Sequence, residues 1–169
     1  MSETADATGA FDALVAVDRP LYVVTTRSAD GLSGCLVGFA TQTSIDPPRF
    51  FVGISRANHT HGVAANANHL AVHLIAREHA ELARLFGGET GDSVDKFAAC
   101  QWVEGPHDLP VLTDAGVWFV GRVIDRIDVG DHTGYLLAPV AGEVRHQDPE
   151  LSAWVSLAIG DSIEPGHSA

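Results

Sequence analysis

The chain has 169 residues, with 10 basic against 22 acidic side chains and a formal net charge of −12. This length fits one domain with a sizeable core, and 46% hydrophobic residues suit a compact globule rather than a disordered chain. The anionic balance argues against nucleic acid as a partner. No apolar run approaches the roughly 20 residues that cross a bilayer, and the acidic N-terminus lacks the features of a signal peptide, so no membrane partner and a cytoplasmic location are expected.

Residues 1–10 read as a loose tail, 11–147 as one domain, and 148–169 as a C-terminal helix and tail. Phe11, Leu14 and Val15 have helical spacing ahead of Arg19-Pro20. Leu21 to Thr26 is β-branched and aromatic, and Ala29-Asp30-Gly31 turns the chain after it. A second strand is predicted from Ser33 to Ser44, stopped by Asp46-Pro47-Pro48 because proline cannot donate to a ladder. Phe50 to Ile54 is a third strand, apolar enough to be buried on both faces.

Asn58-His59-Thr60 opens a helix with Val63, Ala64 and Ala67 facing inward, and Leu70 to Ile75 is the next strand. Glu78 to Phe86 reads as a helix that Gly87-Gly88 stops. Strands at Val117–Asp125 and Thr133–Val140 flank Val129-Gly130-Asp131. Asp148 and Pro149 suit the start of a last amphipathic helix, with Leu151, Trp154, Val155, Ala158 and Ile159 on one face. Short strands without regular β-α-β alternation favour an all-β-dominated fold, an antiparallel barrel with peripheral helices.

The order of these segments resembles the flavin reductase family of FMN-binding split barrels. Val23-Val24-Thr25-Thr26 with Asp30-Gly31 is similar to that family's opening hairpin, and the stretch Thr41 to Pro48 to its double-proline turn. Thr60, the segments Leu70 to Leu74 and Leu82 to Phe86, Lys96-Phe97 with Trp102, and Gly130-Asp131-His132-Thr133 follow in the family's order. Gly38-Phe39 stands where family members usually carry small hydroxyl residues, and Asn58 and His59 replace two serines. The resemblance implies a split antiparallel β-barrel, a homodimer with flavin at its interface, and hydride transfer from NADH or NADPH to FMN, with FAD or a deazaflavin as the other cofactor choices. An oxygenase component is a further implied partner. The alternative on the same fold is a flavin-binding or electron-transfer module without turnover.

Two segments meet the needs of a planar ring with a charged tail. Cys35, Leu36, Val37, Gly38, Phe39, Ala40 and Thr41, with Gln42, offer strand-edge backbone groups, and Gly38 permits close approach of a ring; an ordinary core strand with a glycine bulge would read the same. Ser55, Arg56, Asn58, His59 and Thr60 lie between a strand and a helix start, where N–H groups favour an anion; a capped helix with solvated polar residues is the other reading. Arg84 is a second phosphate candidate or a surface residue paired with Glu81 or Glu78, and Trp102 covers the flavin or simply packs. The resemblance places His132 beside the nicotinamide, with Asp131 fixing its tautomer. Cys35 and Cys100 read as small buried hydrophobes. The pairs His59/His61 and His69/His73 lack further ligands at metal spacing, so no metal is expected.

Overall fold

The computed structural model describes residues 6–145, 154–160, 163 and 166. Its elements run α1 (Ala7–Val15), β1 (Tyr22–Ser28), β2 (Gly31–Val37), β3 (Phe39–Ser44), β4 (Arg49–Ser55), α2 (His59–Ala64), β5 (His69–Ile75), α3 (Ala80–Gly88), β6 (Trp102–Glu104), β7 (Pro110–Leu112), β8 (Ala115–Asp128), β9 (His132–Val144) and α4 (Leu157–Gly160). Seven strands form one antiparallel sheet in the order β2-β1-β5-β8-β9-β4-β3, and β6 pairs with β7 separately. The fold is therefore β-dominated and antiparallel, as the pattern of short strands predicts.

The two edge strands of the large sheet, β2 and β3, are consecutive in sequence and separated by Gly38 alone. The predicted single strand from Ser33 to Ser44 is thus two strands, because the chain leaves β1 after Val37 and joins β4 from Phe39 onward. One apolar cluster fills the inside, with Val24, Cys35, Val52, Ile54, Val72 and Tyr135 among its buried members. The alternate residue Val23 points the other way, under Leu82, Ala83 and Phe86 of α3. A strand that buries successive residues on opposite faces needs apolar side chains throughout.

Two local expectations fail for identifiable reasons. The helix α3 continues through Gly87 and Gly88 and is capped by Glu89. Its carbonyl at Phe86 accepts from the Lys96 ammonium, which also donates to Gly34 O and is only 4% exposed. The amphipathic helix predicted after Pro149 does not form at Trp154 to Ser156. Trp154 bridges Ala76 and Ser156 bridges Pro20 in extended pairing, and the Val155 main chain donates to Ile75 O at 2.8 Å and accepts from Leu21 N–H at 3.0 Å. Main-chain partners between β1 and β5, with complete burial of Val155, replace the helix there. The predicted cap and first turn, residues 148–153, lie outside the described residues.

The two histidine pairs are used separately. His73 is fully buried, its Nδ1–H donating to Val23 O at 3.0 Å and its Nε2 accepting from Leu112 N–H at 3.2 Å. His69 instead stacks on His107, with ring centroids 3.7 Å apart. His59 pairs with Asp92 and His61 with the Thr133 hydroxyl. Cys35 is buried and Cys100 half-buried, both as free thiols. No helix among the described residues is long and apolar enough to cross a membrane.

Candidate functional site

The break at Gly38 brings together segments that are far apart in sequence. Ser55, the last residue of β4, pairs with His132, the first of β9. The Arg56 N–H donates to Asp131 O at 3.0 Å. These contacts set the β4–α2 turn against the β8–β9 hairpin, whose tight connection uses Gly130 at φ +113°. The β2–β3 junction lies alongside, and the three segments enclose a cavity of about 770 Å³. Its walls are Cys35–Phe39, Gly53–Asn58, Gly130–His132, and Phe86 and Gly87 from α3, closed off by Leu21, Leu157 and Ile163.

The cavity has an apolar floor and a charged rim. Cys35 is a floor residue; burial pushes its thiol up to about 11, so it is a packing group and not a thiolate. On the rim, the Arg56 guanidinium is 2.7 Å from Asp128 Oδ1. Its hydrogen bond holds the Asp128 carboxyl below the usual carboxylate range. His132 Nδ1 is 2.6 Å from Asp131 Oδ1, and that bond lowers Asp131 in the same way. A carboxylate only accepts, so the proton in this bond sits on Nδ1. The Phe39 ring lies 4.8 Å from the His132 ring at 59°.

These features suit a planar organic group. A Cβ at Gly38 would meet only Leu21 Cδ2, at 3.4 Å, so protein packing does not demand glycine there; the open face belongs to the cavity. The volume lies within the range of small-molecule sites, and an apolar slot with a few polar groups at its rim is their usual composition. The segment match extends over most of the chain: the model of the flavin reductase-like domain matches residues 14–156.

The chain belongs to the flavin reductase family. It is 30% identical to the FMN reductase (NADH) RutF of Klebsiella pneumoniae (strain 342), over 96% of this chain and 98% of that protein. The flavin reductase domain protein of Arthrobacter sp. FB24 shares its fold, with a TM-score of 0.73, 23% identity, and coverage of 88% of this chain and 94% of that one. The NADH:FAD oxidoreductase SgcE6 of Streptomyces globisporus C-1027 is similar in fold, with a TM-score of 0.73, 19% identity, and coverage of 92% and 91%.

Of the residues singled out in sequence, this flavin reductase-family chain gathers Leu36, Val37, Gly38, Phe39, Ser55, Arg56, Asn58 and His132 around one cavity. Ala40 and Thr41 continue along β3 beyond it. Thr60 is fully buried, its hydroxyl 2.9 Å from Ser33 Oγ, and does not line the cavity. The Asn58 side chain caps α2 by accepting from Thr60 N–H at 3.0 Å. Arg84 is exposed on α3 and also stands outside the cavity. His59 and Trp102 line a second cavity of about 710 Å³, with Ser33, Lys96 and Phe97. Trp102 Nε1–H donates to Phe97 O there.

Cys35 falls within the segment predicted to meet the ring, whereas the sequence pattern does not place Phe86 and Leu157 on the cavity wall. Each is apolar within an apolar run, and nothing in the local pattern separates a cavity wall from the core.

Proposed function

We propose that the protein is an NAD(P)H-dependent flavin reductase of the FMN-binding split-barrel type. It acts in the cytoplasm as a homodimer and supplies reduced flavin to an acceptor such as an oxygenase component. The observation that carries this reading is the convergence of the Gly38 segment, the Arg56 turn and His132 on one cavity of about 770 Å³.

A flavin bound there supplies the hydride acceptor. The protein's own part is to bind and orient. The edge of β2 and β3 offers main-chain groups to a ring, Gly38 leaves room for its face, and Arg56 offers a cation to an anionic tail. His132, held by Asp131, offers the other edge of its ring to the donor's polar groups. Support for the homodimer comes from α1. It buries none of its residues, and Phe11 and Leu14 are 63% and 71% exposed. A second copy would cover that face.

The test is direct. Purified protein supplied with FMN should show a flavin spectrum perturbed by binding and should oxidise NADH or NADPH with FMN present. Sedimentation at micromolar concentration should give twice the chain mass. Absence of both flavin binding and nicotinamide oxidation would overturn the reading.

A further inference from the structure

Arg19 lies outside every segment discussed above, yet its side chain reaches two of them. Its Nε–H donates to Gly38 O at 3.1 Å, and an Nη1–H donates to Val15 O at the end of α1. The guanidinium carbon stands 5.9 Å from the centroid of the Phe39 ring. The Arg19 carbonyl accepts from Leu157 N–H at 2.8 Å, and Leu157 is itself a cavity residue.

We propose that Arg19 is a positioning residue of the site, setting the His132 ring through Phe39; the proposal rests on the reading of His132 as the residue that meets the hydride donor. Phe39 is 53% exposed, so no apolar core holds its ring. Its described ring neighbours are the Arg19 guanidinium and the His132 ring. Arg19 also holds the carbonyl of Gly38, the residue at which β2 ends and β3 begins. The backbone that carries Phe39 is therefore fixed by the same side chain that faces its ring.

A helix cap alone would need only the bond to Val15 O. The bond to Gly38 and the approach to the Phe39 ring lie beyond that role. A planar guanidinium fork serves both carbonyls and the ring together, whereas an ammonium is a single point charge.

A double-mutant cycle on the full chain tests this, using Arg19→Gln, Phe39→Leu and both together. The first readout is the His132 Cε1–H resonance, which senses the Phe39 ring current without any turnover. The second is KM for NADH at saturating FMN. Phe39→Leu should move the resonance and raise KM about fivefold, Arg19→Gln should do the same, and the double variant should add nothing. Arg19→Lys should restore neither readout, and it decides the matter if Arg19→Gln does not fold. An unmoved His132 resonance in the Arg19 variant, or effects that multiply in the double variant, would overturn the proposal. If the wild-type protein oxidises no NADH, the functional reading fails, and the resonance cycle still judges the coupling.

Discussion

The rings of Phe39 and His132 meet across β4, although the two residues stand 93 positions apart in the chain. Phe39 pairs with Gly53 on β4, and Ser55, two residues on, pairs with His132 on β9. Their rings come to 4.8 Å over β4. A Cβ at Gly53 would stand 3.3 Å from the Phe39 Cβ, a contact tight enough that Phe39 would have to shift slightly.

Gly38→Val separates binding from folding. A Cβ added at Gly38 would meet one atom within 4 Å, Leu21 Cδ2, and the φ of Gly38 is not in the left-handed region. The variant should keep its melting temperature to within a few degrees and lose FMN affinity by about tenfold or more. Fluorescence titration with FMN alongside a thermal melt measures both. Unchanged affinity would remove the β2–β3 junction from the site.

Arg56→Ala distinguishes the tail of the cofactor from its ring. FMN affinity should fall by about tenfold, the scale of one charge-assisted contact, while riboflavin, which has no phosphate, should bind as before. The variant also frees Asp128 from its ion pair, leaving Asp128 and Asp131 unneutralised near the rim. FMN should therefore suffer most at low salt. Equal losses for the two ligands would exclude a phosphate role.

His132→Ala should lower kcat/KM for NADH by about tenfold or more, since a misplaced donor loses much of the gain from orientation. FMN affinity should change little. Asp131→Asn should give a smaller loss of the same kind, because the Nδ1–H loses its charged partner. Steady-state kinetics with varied NADH separates the effects.

His73 predicts how stability varies with pH. Burial lowers its titration from 6.5 to about 4 in the native state. Between those values the unfolded chain binds a proton that the native state refuses. Stability from this residue is therefore complete above about pH 6.5 and drains as the pH falls toward 4, by about 3 kcal/mol over the window. Urea unfolding at pH 7.5 and 4.5 measures the difference. His73→Leu should flatten that pH dependence while costing about 1–3 kcal/mol at pH 7.5, because Val23 O and Leu112 N–H lose their partner.

The sequence by itself determined the local elements. A β-branched and aromatic run marked β1, short apolar runs marked β4 and β5, the Asn58 cap marked the start of α2, and Gly130-Asp131-His132 marked the hairpin between β8 and β9. The composition of the site was also legible, since a glycine in an apolar strand and an arginine ahead of a helix cap are local signals. Tertiary structure alone decided which of these face one another. Strand pairing is non-local, so only the folded sheet shows that β2 and β3 lie at opposite edges and that Gly38 joins them. The same holds for side chains with local ambiguity. Thr60 turns inward to Ser33, Arg84 faces out, and Trp154 to Ser156 take extended pairing because main-chain groups just ahead of β1, at Leu21, and at the end of β5, at Ile75, bond to Val155. Which backbone groups lack partners is a property of the assembled sheet and is written in no single segment.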